Sequence, residues 1–207
     1  MMQIHSTAFL SSAPDLASCP ALVLPEFAFI GRSNVGKSSM INMLTRVKDL
    51  AKVSDTPGKT KLINFFNVNK NWTLVDLPGY GYAKVGRKDR TNFLSFVTDY
   101  LQNRSNLLGT FVLIDSRLTP QKIDLEFLNW MVNAGLPFIL IFTKTDKLSR
   151  TAAQANIDAF LIRLQEISPE APPVLTSSSK LGHGRAEILE LIAATLAEDR
   201  EARETIA

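Results

Sequence analysis

The chain of 207 residues carries 23 Lys and Arg, 20 Asp and Glu and a formal net charge of +3; its only cysteine, Cys19, excludes an intrachain disulfide and a cysteine-built zinc cluster. The longest apolar runs, such as 138–142, have the length of a strand and not of a bilayer span, and the N-terminus lacks a basic segment followed by an apolar one. These features predict an intracellular, cytoplasmic monomer without membrane insertion.

No linker-like change of composition divides the chain, so we predict one domain over 25–198, with a loosely held N-terminal extension, 1–24, and a polar C-terminal tail, 199–207. Residues 1–90 hold 12 Lys and Arg against 6 Asp and Glu, whereas residues 91–207 hold 11 against 14. The basic N-terminal half is suited to attract polyanions.

A glycine-bearing loop follows the first apolar run, 27–30, which we predict to be a buried strand. The loop matches GxxxxGKS, the phosphate-binding pattern, at Gly31, Arg32, Ser33, Asn34, Val35, Gly36, Lys37 and Ser38. Two glycines let the backbone wrap closely around phosphates, so that successive N–H groups and the next helix N-terminus face the anion. Lys37 adds a charge near the β- and γ-phosphates, and the Ser38 hydroxyl can ligate Mg²⁺. The strand before the loop and an amphipathic helix after it argue against a chance match.

Residues 54–61, between that helix and the second strand, are a polar segment in which a threonine is needed to complete the Mg²⁺ shell of the triphosphate state. Thr60 is the preferred candidate because it adjoins the strand, and Thr56 is the alternative; a passive loop stays possible from this segment alone. Such loops become ordered when the γ-phosphate is present. We therefore count among the nucleotide-contacting residues Gly58, Lys59, Thr60, Lys61 and Leu62.

Two runs, 62–68 and 72–76, are predicted strands joined by the polar turn 69–71, which indicates a hairpin. The second run leads into Asp76, Leu77, Pro78 and Gly79. This fits a DxxG element, in which the Asp reaches Mg²⁺ through water and the Gly N–H meets the γ-phosphate. Asp-x-Pro-Gly alone is an ordinary turn, but its place after a phosphate loop favours the nucleotide role.

Two apolar runs, 111–115 and 137–142, are typical of strands covered by helices on both faces. The second leads into Thr143, Lys144, Thr145 and Asp146, which match the guanine-reading pattern (N/T)KxD. The Asp146 carboxylate offers two acceptors to the N1–H and N2–H₂ donors of guanine, and the Lys144 stem can lie over the ring. Adenine lacks that donor pair, so such a site can discriminate by roughly 10⁴ or more. Thr143 stands where most such proteins have Asn, which removes an amide that usually braces the loop.

A sixth strand is predicted at 173–175, and helical patterns lie at 90–103, 120–134, 150–167 and 184–199. The polar residues after the last strand, 176–180, are assigned by position to an S-A-K element, whose backbone N–H contacts the guanine O6. Of these we count Thr176, Ser177 and Ser178 among the nucleotide-contacting residues; an ordinary loop is the alternative. The alternation predicts an α/β fold with a mostly parallel six-stranded sheet, helices on both faces and the ligand at the carboxyl ends of the strands.

In this order the motifs are those of a translation-factor-like P-loop GTPase. Their residues resemble those of the EngB family (also called YihA or YsxC) of the TrmE-Era-EngA-EngB-Septin-like superfamily. The resemblance covers roughly residues 25–195 and is carried by the segments 31–39, 56–60, 63–66, 76–82 and 143–146. It implies a three-layer Ras-like GTPase fold, large ribosomal subunit and rRNA as partners, a role in ribosome assembly, and a link to cell division and septation.

Hydrolysis in this reading depends on positioning and charge neutralisation by Asn34, Lys37, Thr60 and Gly79, with Mg²⁺ held by Ser38, Thr60 and Asp76. Many GTPases have a water-orienting glutamine after DxxG, but Tyr80 stands there, so unassisted hydrolysis of GTP to GDP is expected to be slow. Related GTPases with Asn at the position of Asn34 use it to hold K⁺ between the β- and γ-phosphates. A bracing role for Asn34 is the alternative.

The segment 80–90 interleaves tyrosines with Lys84, Arg87, Lys88 and Arg90, a mixture that suits RNA because cations neutralise phosphates and rings stack on exposed bases. We expect a GTP-gated rRNA contact there; a solvated basic helix start is the alternative. Two rival functions stay open: a P-loop ATPase or small-molecule kinase, and a non-catalytic module that binds GTP and RNA without turnover.

Overall fold

In the computed structural model, which describes residues 2–21, 23–51, 62–80, 96–168 and 170–206, the chain forms one seven-stranded sheet with helices on both faces. The strands are β1 (Thr7–Ala13), β2 (Glu26–Gly31), β3 (Ile63–Val68), β4 (Trp72–Asp76), β5 (Leu107–Asp115), β6 (Ile139–Thr143) and β7 (Val174–Thr176). The helices are α1 (Lys37–Thr45), α2 (helical at 96–103), α3 (Lys122–Asn133), α4 (Arg150–Gln165) and α5 (Arg185–Ile206), with a 3₁₀ turn at Thr145–Lys147.

All six predicted strands are present, as is the hairpin, in which β3 and β4 pair antiparallel. The sheet order is β1-β3-β4-β2-β5-β6-β7, and the pairs from β4 through β2, β5 and β6 to β7 are all parallel. The predicted helix at 90–103 is seen over 96–103, while its first residues lie outside the described ranges. None of the described helices combines the length and the apolar character that a membrane crossing requires.

The prediction that the ends are loosely held is wrong at the N-terminal end, whereas the C-terminal residues 201–205 form the exposed end of a helix. Residues 7–13 form the edge strand β1, antiparallel to β3, and helix α5 continues past Asp199 to Ile206. β1 shows no clean alternation, because only Ala13 is buried and the register shifts between Phe9 and Ser11, so periodicity could not reveal it. Asn69 in the hairpin turn fastens the preceding residues by accepting the His5 N–H at 2.7 Å and donating to the Gln3 carbonyl at 2.7 Å.

The strand residues alternate between two hydrophobic layers, as the period of two in a strand requires. One layer packs against α1 and α5 and includes Phe29, Trp72 and Leu113. The other packs against α2, α3 and α4 and includes Ile30, Phe65 and Phe142. Because both faces are covered, β2 and β4 are buried at every position. The sheet therefore holds the loops at its carboxyl edge on a rigid base.

A buried ion pair closes the opposite edge of the sheet. The Glu26 carboxylate accepts hydrogen bonds from Arg104 Nε at 2.9 Å, Arg104 Nη2 at 2.6 Å and the Tyr100 hydroxyl at 2.6 Å. Arg104 Nη2 also donates to the Pro20 carbonyl at 2.7 Å. The Arg104 and Glu26 side chains are only 6% and 3% exposed, so each charge depends on the other for compensation. This pair joins α2 and the N-terminal segment to the start of β2.

Replacing Arg104 with methionine is expected to lower the free energy of unfolding by about 3 kcal/mol or more, because the Glu26 carboxylate then stays buried without its cation. Denaturant unfolding followed by circular dichroism measures the loss. Arg163→Met is the matched control, since the Arg163–Glu166 pair is 57% and 54% exposed, and a loss below about 1 kcal/mol is expected there. Equal losses in the two variants would contradict the role given to the buried pair.

Candidate nucleotide-binding site

The phosphate-loop motif lies between β2 and α1 and has the backbone that anion binding requires. Gly31 is the last residue of β2, and Gly36 is the N-cap of α1 with φ 107°, a value that side chains beyond glycine rarely adopt. Asn34 is also left-handed, with φ 63°. The first helical hydrogen bond runs from the Met40 N–H to the Gly36 carbonyl at 2.9 Å. The N–H groups at the start of α1 therefore have no acceptor within the helix and can face a phosphate.

The DxxG motif lies directly against this loop. Asp76 ends β4, and the Leu77 N–H donates to the Phe29 carbonyl of β2 at 3.0 Å. A Cβ atom on Gly79 would lie 2.8 Å from the Gly31 carbonyl oxygen, too close for any side chain. The Lys37 ammonium forms an ion pair with the Asp76 carboxylate. The structure thus joins the lysine expected at the phosphates to the carboxylate expected near Mg²⁺.

The candidate base-reading loop is bonded to the outside of the phosphate loop. Thr143 Oγ1 lies 2.7 Å from the Val35 carbonyl oxygen, and Lys144 Nζ lies 2.5 Å from the Asn34 carbonyl oxygen. Thr143 lacks the amide that usually braces such a loop, but its hydroxyl donates to the phosphate loop in its place. Thr143 is 3% exposed, so this hydrogen bond is sheltered from water.

A carboxylate at the end of β5 holds Lys144 in place. Asp115 accepts hydrogen bonds from Lys144 Nζ at 2.9 Å and from Arg117 Nε and Nη2 at 2.9 and 2.8 Å. Burial alone would raise the pKa of Asp115, but the hydrogen bonds from Arg117 and Lys144 outweigh it and hold the pKa below its ordinary value. Lys144 is thereby fixed between a carboxylate and the phosphate loop.

The loop after β7 lies beside Asp146. The Ser178 hydroxyl donates to the Asp146 carboxylate at 2.7 Å, which lowers the pKa of Asp146. The Thr145 N–H donates to the Ser177 carbonyl at 3.2 Å, and the Ser177 N–H donates to the Phe142 carbonyl at 2.8 Å. Gly184 packs so closely against this loop that a Cβ atom on it would lie 2.2 Å from the Thr176 carbonyl oxygen. Thr176, Ser177 and Ser178 thus stand next to the residues predicted to read the base.

Most of the residues predicted for the site therefore meet at the carboxyl ends of β2, β4, β6 and β7. Gly58, Lys59, Thr60 and Lys61 and the segment 81–90, which includes Lys84 and Arg87, lie outside the described residues. Leu62 is described just before β3, 39% exposed. The side chain of Arg32 points toward α3, where its Nε lies 3.0 Å from the Asp124 carboxylate.

Sequence reasoning missed three residues of this region, Asp115, Arg117 and Asp124. Asp115 ends a buried apolar strand at the edge where ligands bind, which is a detectable signal. Asp124 shares the buried face of α3 with Phe127, Leu128 and Met131, and a carboxylate on an apolar helical stripe is a second signal. Arg117 carries no such mark, although its partner Asp115 lies only two residues before it.

The arrangement can bind a nucleoside polyphosphate through backbone N–H groups and Lys37. Ser38, in the first turn of α1, and Asp76, at the end of β4, bring a hydroxyl and a carboxylate to the same loop junction. Oxygen ligands of this kind suit Mg²⁺, which prefers few protein ligands beside phosphate and water. The residues present therefore fit the metal that usually accompanies such a nucleotide.

Comparison with known proteins agrees with this geometry. Residues 26–144 match the family model described as 50S ribosome-binding GTPase. The chain is 53% identical over 191 residues to a probable GTP-binding protein EngB of Bacteroides thetaiotaomicron, covering 92% of this chain and 95% of that protein. It is 50% identical over 191 residues to a probable GTP-binding protein EngB of Porphyromonas gingivalis, covering the same shares of the two chains.

Among solved structures, the crystal structure of a probable GTP-binding protein EngB superposes with a TM-score of 0.67 at 23% identity, covering 84% of this chain and 99% of that one. At this identity the match supports the three-layer fold, while the sequence relatives and the family model carry the assignment. The chain therefore belongs to the EngB family of GTP-binding proteins and carries a GTPase domain.

Proposed function

We propose that the chain works as a GTP-operated switch that hydrolyses GTP to GDP and assists assembly of the large ribosomal subunit. One observation supports this most: the three motifs that would contact phosphate, Mg²⁺ and base are bonded to one another through Lys37–Asp76 and Lys144–Asn34. A ligand that touches one motif therefore changes the surroundings of the others, as a switch requires.

The phosphates would lie on the N–H groups of residues 31–38, with Lys37 beside the β- and γ-phosphates. Ser38 and Asp76 would hold Mg²⁺, Asp76 through water, and Thr60 would complete the shell in the triphosphate state. The bound ion would neutralise charge on the β- and γ-oxygens. Lys37 must then exchange its present partner Asp76 for phosphate oxygens, and the Gly79 N–H would meet the γ-phosphate.

The base would be read by Asp146, held by Ser178, with the Lys144 stem over the ring and the 176–178 loop at the guanine O6. The contacts of Lys144 with Asp115 and Asn34 leave its ammonium occupied, so its role at the base is steric and apolar. An adenine nucleotide would leave the Asp146 carboxylate without its donor pair, which argues against the ATPase and kinase alternatives.

Asp146→Asn is expected to weaken GTP binding about 100-fold or more, because an amide nitrogen would face the guanine N2 amino group, donor against donor. Xanthosine triphosphate, which has an acceptor at that position, should bind the variant better than GTP does. Fluorescence titration with labelled GDP, competed by GTP, xanthosine triphosphate and ATP, measures both. Ser178→Ala, which removes only the partner of Asp146, serves as the control and should keep guanine preference. Tighter competition by ATP than by GTP in the unmodified protein would refute guanine selection.

Hydrolysis would depend on placed charges, because Tyr80 is 2% exposed and packed into the core, away from any attacking water. Asn34 is exposed and left-handed in the phosphate loop, and its carbonyl is held by Lys144. Its side chain is thus presented on a fixed backbone, which suits a K⁺ ligand near the β- and γ-phosphates. A cation there would stabilise the charge that develops on the leaving phosphate oxygens.

GTP turnover is expected to be about tenfold faster in KCl than in NaCl of the same ionic strength, because the cation would stabilise the charge that develops on the phosphate oxygens. Asn34→Ala should abolish the difference while leaving turnover in NaCl little changed. Phosphate release at saturating GTP measures both. Equal turnover rates of the unmodified protein in the two salts would reject K⁺ binding by Asn34 and favour a role for Asn34 in bracing the loop.

The proposed partner is the large ribosomal subunit and its rRNA, and the proposed cellular roles, ribosome assembly and a link to cell division and septation, follow from it. Support comes from the description of the matched family as ribosome-binding and from the cationic and aromatic residues at 80–90. Lys and Arg there would neutralise rRNA phosphates and Tyr82 would stack on a base, whereas Tyr80 is buried against Phe127 and is not available for RNA.

Purified protein is expected to sediment with large ribosomal subunits at low salt when bound to a non-hydrolysable GTP analogue, and much less when bound to GDP. Lys84→Glu with Arg87→Glu should weaken the association without affecting nucleotide affinity, whereas charge reversal at Lys122, an exposed lysine of α3, should not. Absence of association in both nucleotide states would leave a GTPase without this partner. Association that is equal in both states would reject the gating.

A further inference from the structure

Three polar side chains from three elements meet in a buried cluster behind the phosphate loop: Arg32, Tyr80 and Asp124. Arg32 follows β2, Tyr80 follows the DxxG motif and Asp124 lies in the first turn of α3. The Tyr80 residue is 2% exposed and the Asp124 residue 1% exposed. Neither the phosphate-loop pattern nor the DxxG pattern predicts this cluster.

Tyr80 is anchored through both its ring and its backbone. The ring stacks on Phe127 of α3 with centroids 4.3 Å apart and planes 18° from parallel. The backbone forms an isolated parallel bridge with Arg32 of the phosphate loop. Burial and the nearby Asp124 charge raise the pKa of the Tyr80 hydroxyl, so the hydroxyl stays protonated.

Asp124 is joined to Tyr80 through Arg32, whose backbone bridges to Tyr80, and through Phe127 on the same helix. Its carboxylate lies 3.0 Å from Arg32 Nε, and that side chain is 2% exposed. Burial raises the pKa of Asp124, while Arg32 and Tyr80 oppose the rise. Its place at the N-terminus of α3 favours the anion further. Arg32 is thereby turned away from the phosphates and toward the segment that follows DxxG.

Stability alone does not account for these charges. A buried ion pair is commonly no more stabilising than apolar side chains of the same volume, which this core supplies on all sides. What the pair adds is a defined geometry, because the Asp124 carboxylate, only 2% exposed, needs the Arg32 cation beside it and so limits the arrangements of the two elements. The two elements here are the phosphate loop and α3, and Tyr80 lies between them.

The cluster is one peptide away from Gly79, whose position it constrains. A Cβ atom on Gly79 would lie 2.8 Å from the Gly31 carbonyl oxygen and 3.1 Å from the Ser33 nitrogen. Gly79 is thus pressed on the loop that would hold the phosphates, and Tyr80 is locked beside it. Any displacement of Tyr80 carries the Gly79 N–H with it.

We infer that Asp124 is a positioning residue of the GTP cycle. Together with Arg32 it fixes the position of Tyr80, and Tyr80 in that position places the Gly79 N–H for the γ-phosphate. The inference rests on the proposed function, in which Gly79 meets that phosphate. It assigns to Tyr80, which occupies the place of a water-orienting glutamine, the task of anchoring the DxxG segment to the phosphate loop and α3.

The test compares Asp124→Asn with Glu126→Gln, which neutralises an exposed carboxylate two residues away on the same helix. Glu126 is 57% exposed and pairs with Lys122, which is 90% exposed. Affinities for GDP and for a non-hydrolysable GTP analogue are measured by titration, and turnover at saturating GTP by phosphate release. Asp124→Asn should weaken the analogue about tenfold and slow turnover similarly, while changing GDP affinity less than about twofold, because only the triphosphate meets Gly79. Glu126→Gln should leave all three unchanged.

Tyr80→Phe keeps the stacked ring and removes only the hydroxyl, so it serves where Asp124→Asn does not fold, as judged by thermal unfolding. It should show the same selective loss for the triphosphate, smaller in size, and should be non-additive with Asp124→Asn because the two residues belong to one cluster. Equal weakening of GDP and analogue, or no change in either, would overturn the positioning role. Failure of the unmodified protein to bind or turn over GTP would instead refute the proposed function.

Discussion

The carbonyl groups on the outer side of the phosphate loop impose the constraint on which the rest of the site depends. A loop that turns its N–H groups inward toward an anion must turn several carbonyls outward, and buried carbonyls need donors. Here the donors are the Thr143 hydroxyl for Val35 and the Lys144 ammonium for Asn34. The segment predicted to read the base therefore also supports the segment predicted to hold the phosphates, and the two cannot move independently.

The ion pairs of the chain divide according to their surroundings. Glu26–Arg104 at the amino edge of the sheet has every charge matched by fixed hydrogen bonds and joins elements of the scaffold. At the carboxyl edge, Lys37–Asp76 and Lys144–Asp115 involve residues that a nucleotide or Mg²⁺ would also engage. Such pairs hold cations and carboxylates in place and compensate their burial until a ligand with stronger charges enters. The contrast separates the part that maintains the fold from the part that can change.

The fold was largely predictable because its signals are local. The apolar runs of β2, β5 and β6 are too continuous for half-exposed strands, and the glycines and Lys37 of the phosphate loop follow the first of them at the required spacing. The edge strand β1 was not predictable, since only its last residue is buried and its remaining side chains show no clean alternation across the register shift. A strand on an edge is stabilised by backbone pairing with its neighbour, and backbone pairing leaves no mark in composition.

The sequence by itself determined the fold class and the class of ligand, and it predicted the residues of the phosphate loop, the DxxG element and the proposed base-reading loop. These depend on short segments whose backbone and side chains act locally, so their spacing carries the information. The tertiary structure alone decided that Thr143 braces the phosphate loop, that Asp115 holds Lys144, and that Arg32 turns to Asp124 beside Tyr80. Each of these contacts joins residues far apart in the chain, and only the parallel sheet, by bringing the carboxyl ends of its strands to one edge, makes them neighbours.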